Sequence, residues 1–378
     1  MNNKLIFTIN PGSTSTKLAL FRGTELLYST NTHIDADKVK GLKATDQLEM
    51  RLESVYNFLS EHGVDPAELD MIACRGGNLP DIGGGAYKVT PHMMNVVRYA
   101  PPQEHASNLG CLLGNALGKP YDKPVIIYDA PSTDEMEYYA KWTGIPEEPI
   151  VPANHVLNSR TVSRKVAREM GKEYEDCNFI VCHMGGGIGI TAHKKGRIVD
   201  AVATDMGPMS PERAGRIPTN IMANLCYSGR YTKAEMKKYL LGGSGILAWL
   251  GTQNMLEVEN RAKAGEEKVV KVFYTMAYQT AKGIGELAAA LAGKVDRIIL
   301  TGGLARADMF CDWIVELVNF IAPIARVPGE YEMEALAEGG LRVLEGLDVP
   351  KEYTVVPRGY KDMDAFYDAF PEMERVGV

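Results

Sequence analysis

The chain has 378 residues, with 41 basic and 48 acidic side chains, a formal net charge of −7, and 45% hydrophobic against 24% charged residues. That balance excludes an extended disordered chain, which could not bury enough apolar surface to offset its ordering entropy. The acidic excess argues against nucleic acid as a partner, because its binders present a clustered basic face. Glycine, at 38 residues, exceeds its usual share of roughly 7%, which points to tight backbone turns.

The length suits two to three domains. No stretch approaches the roughly 18 apolar residues of a membrane span, so no membrane association is expected. The apolar run Leu5–Ile9 is too short for a signal peptide, and no small-residue cleavage site follows it. Cys74, Cys111, Cys177, Cys182, Cys226 and Cys311 are scattered without a CxxC pair, so free thiols in or near the core are expected rather than disulfides or a zinc site. These features predict a reduced, cytoplasmic protein.

Strand and helix signals alternate along the chain, the pattern of an α/β protein. Leu5–Ile9 reads as a strand ending at the turn Asn10-Pro11-Gly12. Lys17–Phe21 and Glu25–Tyr28 read as two more strands joined at Arg22-Gly23. Gln47–Ser60 carries Leu48, Leu52, Val55 and Leu59 at helical spacing, with Gly63 as a stop. Met71–Cys74 and Val125–Tyr128 are buried-type strands. Phe179–Cys182 is a strand running into the Gly185-Gly186-Gly187 turn, followed by a second strand, Lys195-Gly196 and Ile198–Val199. A long helix over Lys268–Leu291 precedes the strand Arg297–Leu300, the turn Thr301-Gly302-Gly303 and a helix over Ala307–Phe320.

The halves repeat. Gly12 and Gly23 are eleven residues apart, as are Gly185 and Gly196, and a shift of 173 superposes both pairs together with Ala19 on Ala192. A strand–turn–strand–turn–strand unit therefore opens each half, and two similar α/β domains with a cleft between them follow. Glycine turns let a backbone approach a ligand closely, and their successive N–H groups form anion nests. Together with Ser13, Thr14, Ser15 and Thr16 they suit a polyphosphate. The competing nucleotide motifs are absent: each Gly-Lys pair is followed by Pro, Glu or Val, and no GxGxxG links a strand to a helix.

At this level of detail the residues match a family. Ile9-Asn10-Pro11-Gly12-Ser13-Thr14-Ser15-Thr16-Lys17, Val181-Cys182-His183-Met184-Gly185-Gly186-Gly187 and Leu300-Thr301-Gly302-Gly303 resemble the first phosphate, second phosphate and adenosine motifs of the acetokinase family. Ala73-Cys74-Arg75-Gly76-Gly77, the stretch Ala100–Ala106, Tyr128-Asp129-Ala130 and Pro328–Ala337 extend the likeness over nearly the whole chain. The family comprises acyl-phosphate-forming kinases of the actin-like ATPase superfamily, and the wording of the first two motifs is nearest its butyrate kinases. The resemblance implies two actin-like, ribonuclease H-like domains, 1–154 with about 333–378 and 155–332. It implies reversible transfer of the γ-phosphoryl group of ATP to butyrate or a branched short-chain acid, giving an acyl phosphate and ADP with Mg²⁺. Acetate or propionate kinase activity is the neighbouring alternative. Self-association as a homodimer or higher oligomer is also implied.

A carboxylate acceptor is already ionised at neutral pH, so the chemistry needs positive charge and positioning rather than a general base. The resemblance assigns Arg75 to the substrate carboxylate or the transferred phosphoryl group, His105 to the substrate pocket, and Arg216 (with Arg213 as the alternative) as a second active-site arginine. It makes Asp129 an orienting carboxylate and Asn10 with Glu332 the residues that hold Mg²⁺ through water, Glu330 and Glu334 being alternatives. Gly12, Ser13, Thr14, Ser15, Lys17, His183, Gly185, Gly186, Gly187, Gly302 and Gly303 would contact the nucleotide. Two positions depart from the acetate kinase pattern. Ser159 stands where those enzymes carry a transition-state histidine, leaving either His155 or a hydroxyl for that task, and Ala203 stands where they have aspartate.

Overall fold

The computed structural model describes residues 3–35, 39, 41–152 and 154–373. The expected N-terminal domain includes residues 1–2 and 374–378, which lie outside the described residues. The chain divides into two compact units, Met1–Asp134 with Tyr331–Val378, and Glu135–Glu330.

In the first unit β1 (Leu5–Pro11), β2 (Ser15–Arg22), β3 (Glu25–His33), β4 (Met71–Arg75), β5 (Ala86–Lys88) and β6 (Val125–Tyr128) form one sheet in the order β3-β2-β1-β4-β6-β5. β1, β4 and β6 run parallel, and the hairpin strands β2 and β3 and the short β5 run antiparallel to their neighbours. Helices Leu48–Glu61, Pro91–Tyr99 and Leu109–Gly118 bury Val55, Phe58, Val96, Leu112 and Leu113 in one core with Phe7, Ile9, Ile72, Cys74 and Ile127. The helix Glu332–Leu344 lies on β1 and β4. It can do so because two of its positions have no side chain: a Cβ on Gly340 would stand 3.1 Å from Ile6 and one on Gly339 would stand 2.6 Å from the Tyr128 ring.

In the second unit β7 (Asn178–Met184), β8 (Ile188–Lys194), β9 (Arg197–Val202), β10 (Arg297–Gly302) and β11 (Ile324–Pro328) pair in the order β11-β10-β7-β8-β9. The helices Glu267–Ala290 and Asp308–Val318 supply Phe273, Met276, Ile284, Phe310 and Ile314 to a core with Ile180, Cys182, Ile190 and Ile298. The order β3-β2-β1-β4-β6 thus recurs as β9-β8-β7-β10-β11, which is the repeat read from the glycine spacing. Even the irregularity in the second hairpin recurs, at Leu20/Phe21 and at Ala192/His193. All six cysteines are free; five are buried, and Cys226 is exposed at the end of the helix Thr219–Cys226. No described helix is long and apolar enough to cross a membrane.

Candidate active site

Functional side chains of open α/β sheets gather at the carboxyl ends of parallel strands, and both units follow this rule. In the first unit Asn10 is the last residue but one of β1, Arg75 closes β4, and Asp129 follows β6. The helix Glu332–Leu344 begins at the same edge and brings Glu332 to them. Asn10 Nδ2 donates to Glu332 Oε2 at 2.7 Å, and Arg75 Nη1 donates to Asn10 Oδ1 at 3.2 Å and reaches Glu332 Oε2 at 3.5 Å. Glu330 and Glu334 are exposed, so of the three acids it is Glu332 that the structure brings to Asn10 and Arg75. Arg75 is largely buried, and its Nε has no hydrogen-bond partner among the described residues. A buried guanidinium that is only loosely paired retains donors for an anion.

Two glycines place Arg75. A Cβ on Gly110 would stand 2.1 Å from the Arg75 carbonyl oxygen, so only glycine lets the helix Leu109–Gly118 lie against the end of β4. Gly76 likewise faces Ala130, with a would-be Cβ contact of 2.6 Å. His105 precedes a short 3-10 turn, and its Nδ1 accepts from the Ser107 backbone N–H at 3.1 Å, with Ser107 Oγ at 2.8 Å. Burial, and then the charge of Arg75, push its pKa below the usual histidine value, so the ring is neutral at pH 7. With Nδ1 accepting, the proton sits on Nε2, which is then the free donor. Asp129 is buried in the left-handed region at φ 44° and accepts from the Gly85 N–H at 2.8 Å. Strain of this kind in a non-glycine residue is concentrated at functional sites.

The first glycine turn is closed by Gly12 N–H donating to Ser15 O at 2.8 Å, and Thr14 O is held by Ile34 N–H at 2.9 Å. Lys17 lies opposite Asn10 in the β1–β2 register, on the same sheet face. Ser13 and Thr14 are exposed at the tip.

In the second unit, Gly185 N–H donates to Gly187 O at 2.9 Å, and Ser210 Oγ donates to Gly186 O at 2.6 Å. The absence of side chains here makes room for two charged neighbours: a Cβ on Gly186 would meet Glu212 Oε1 at 2.8 Å, and one on Gly187 would meet Arg213 Nε at 2.9 Å. Arg213 also donates to Thr204 Oγ1. Its buried Nε has no partner among the described residues. Arg216, the expected second arginine, is not brought to this turn: it donates to Met206 O at 2.7 Å and pairs with Glu286, both side chains about half exposed. Arg213 is the one against the glycines.

His155 and His183 stack with ring centroids 4.0 Å apart. Asn158 Nδ2 lies 2.9 Å from His183 Nδ1 and 3.2 Å from Thr301 Oγ1, a connection the motif reading missed. Ser159 lines the same small cavity as both histidines, but its hydroxyl donates to Val156 O at 3.1 Å. Gly302, at φ 87°, exchanges two 3.1 Å hydrogen bonds with Gly329, and a Cβ there would fall 2.4 Å from Met184 O. Gly185, Gly186 and Gly303 share the wall of one cavity of about 610 Å³, together with Asn254, Leu304 and Arg306. That volume lies within the range of small-ligand sites, and the cavity joins the turn at Gly185-Gly186 to the one at Gly303.

The Acetokinase family profile matches residues 154–320. A protein of Caldanaerobacter subterraneus subsp. tengcongensis named "Probable butyrate kinase 2" is 46% identical over 92% of this chain and 99% of its own length. "Butyrate kinase 2" of Clostridium acetobutylicum is 42% identical over the same shares. Among solved structures, Porphyromonas gingivalis acetate kinase superposes with a TM-score of 0.74 at 17% identity, over 90% of this chain and 100% of that one. A propionate kinase from Francisella tularensis gives 0.71 at 18% identity, over 89% and 98%. At these identities the structures establish a shared two-domain actin-like ATPase fold.

Proposed function

The chain belongs to the acetokinase family, and we propose that it is a phosphotransferase that moves the γ-phosphoryl group of ATP reversibly onto butyrate, giving butanoyl phosphate and ADP. The observation that carries this reading is the set Arg75, Asn10, Glu332 and neutral His105 in one unit of a chain 42–46% identical to butyrate kinases over nearly their full length.

The roles follow from charge. The acceptor carboxylate is a ready nucleophile whose approach to a polyanion is opposed by repulsion. Arg75, whose buried Nε has no hydrogen-bond partner among the described residues, offers a planar donor set to the carboxylate and to the migrating phosphoryl oxygens. His105 Nε2–H donates to the acceptor carboxylate without adding a proton the reaction would have to remove. In the second unit, Arg213 in place of Arg216 supplies positive charge beside the Gly185–Gly187 turn, and His183, fixed through Asn158, donates to a phosphoryl oxygen. His155 rather than Ser159 takes the place of the acetate kinase histidine, because it stacks on His183 while the Ser159 hydroxyl is committed to Val156 O. Adenosine occupies the cavity walled by Gly186 and Gly303.

The donor set also fits Mg²⁺. Among the described residues no three acidic, histidine or cysteine side chains converge into a metal cage. One amide and one carboxylate side by side at Asn10 and Glu332 suit a small hard cation that keeps most of its waters. When bound, the ion neutralises phosphate charge. Asn10 and Glu332 would hold it through water, and Arg75 restrains both of them.

Trapping with hydroxylamine tests the reading, since an acyl phosphate yields a hydroxamate and a phosphorylated hydroxyl does not. Butyrohydroxamate should accumulate with ATP, Mg²⁺ and butyrate. ATP consumption without hydroxamate would sink the assignment and favour a sugar-kinase-like reaction.

A further inference from the structure

The first glycine turn rests on a residue that no motif includes. Arg51, in the helix Leu48–Glu61, is fully buried. Its Nη1 donates to Ser15 O at 2.8 Å and Thr16 Oγ1 at 3.0 Å, and its Nη2 donates to Ser13 O at 3.1 Å. The rest of the fork is taken by Gln47 Oε1, at 3.1 Å from Nε and 2.7 Å from Nη2. Among the described residues every hydrogen-bond partner of Arg51 is neutral. Burying a cation without a carboxylate is costly, and burial draws the Arg51 pKa down from its ordinary value. It nevertheless starts too high to lose its proton at neutral pH.

Two consequences follow from elementary geometry. A trans peptide points its C=O and the following N–H in opposite directions. Drawing Ser13 O down onto Arg51 therefore turns the Thr14 N–H away from Arg51, toward the tip of the turn. The positive charge also stands beneath that N–H with no carboxylate among its hydrogen-bond partners in the described residues, so the turn presents a net positive potential to an anion.

We infer that Arg51 is a positioning residue of the nucleotide site, holding the Gly12–Lys17 turn in its phosphate-binding form and leaving its charge for the phosphates of ATP and ADP. The inference rests on the nucleotide assignment above but not on the choice of acceptor.

The test is calorimetric titration of ADP with Mg²⁺ into the full-length protein, with no acceptor present, so that a failure of the butyrate assignment leaves it intact. Gln47→Glu puts a carboxylate at the Arg51 fork with little change of shape. It should leave the urea midpoint equal to or above that of the unsubstituted protein. ADP should bind roughly tenfold more weakly, the size of one unit charge acting over about 10 Å at an effective dielectric near 20. A purely structural Arg51 would predict the opposite split, a firmer protein with unchanged affinity. Arg51→Lys keeps the charge but loses the fork, and it should raise the nucleotide KM by about tenfold while the acceptor KM moves less than about twofold, the KM split expected when only one substrate's binding is lost. If Gln47→Glu does not fold, Arg51→Lys decides. A folded variant of either kind that binds ADP within twofold of the unsubstituted protein would overturn the inference, and an unsubstituted protein that binds no ADP would overturn it together with the nucleotide assignment.

Discussion

Arg75→Ala separates a catalytic arginine from one that merely props up Asn10 and Glu332. Its contacts to the fold are modest: one hydrogen bond of 3.2 Å to Asn10 and a 3.5 Å approach to Glu332. The tight 2.7 Å bond between Asn10 and Glu332 survives the substitution. Losing such contacts costs the fold about 1–2 kcal/mol. The kinetic loss should be larger. A preorganised donor acting on charge that develops in the transition state is worth about 2.7–4 kcal/mol, so kcat should fall by about 10² to 10³. ATP affinity should barely change, because the proposed nucleotide contacts are those of the glycine turns. Arg75→Lys should recover little, since an ammonium cannot span two oxygens as a planar fork does. Initial rates from hydroxamate formation, alongside urea unfolding of each variant, make the comparison. A folded Arg75→Ala protein with kcat within threefold of the unsubstituted enzyme would reduce Arg75 to a prop for Asn10 and Glu332 and shift the catalytic positive charge to Arg213.

Gly302→Ala should disable the adenosine side by a backbone route: φ 87° and a Cβ 2.4 Å from Met184 O cost about 1–3 kcal/mol from the left-handed conformation alone, and the clash adds to it. Chemical denaturation should show this loss together with weaker ADP binding; full stability would mean that the Gly302–Gly329 bridge is dispensable. His193 gives a pH prediction. It is buried between Tyr174 and Thr191 and its pKa is lowered to about 3, chiefly by burial and then by Arg160. The unfolded state, titrating near 6.5, binds the proton first, so this contribution is intact above pH 6.5 and is lost as pH falls from there toward 3. The limiting slope is about 1.4 kcal/mol per pH unit. Urea midpoints of His193→Gln should converge on those of the unsubstituted protein over that window, and a constant gap would contradict the assignment.

Much of this architecture is legible in the sequence because glycine spacing records a geometric need. The eleven-residue intervals locate both hairpin units, and the turns at Gly12, Gly185 and Gly302 fall at strand ends as read. Less legible is anything fixed by packing between distant segments. The helix Glu332–Leu344 carries Glu332 to Asn10 only because Gly339 and Gly340 let it settle on the sheet, and one glycine pair inside a helix gives no such signal. The choice between Arg213 and Arg216 depends on which guanidinium turns toward Gly187, and a three-residue spacing cannot show it. The helices Thr219–Cys226 and Lys233–Gly242 bury almost nothing and so lack the apolar stripe that would reveal them. Arg51 had a readable signal: it falls on the same helical face as Leu48 and Val55, three residues after one and four before the other. A charged residue inside an apolar stripe is rarely buried unless something pairs with it, and here the turn carbonyls do so.

Acceptor length is decided by kcat/KM for straight-chain acids from two to six carbons, with isobutyrate and isovalerate, under saturating ATP and Mg²⁺. One methylene is worth about 1–3 kcal/mol in an apolar pocket, so neighbouring acids should be clearly resolved. Butyrate kinase activity predicts a maximum at four or five carbons, with acetate well below it. A tenfold preference for acetate would contradict the claim and make the chain an acetate kinase of the same family.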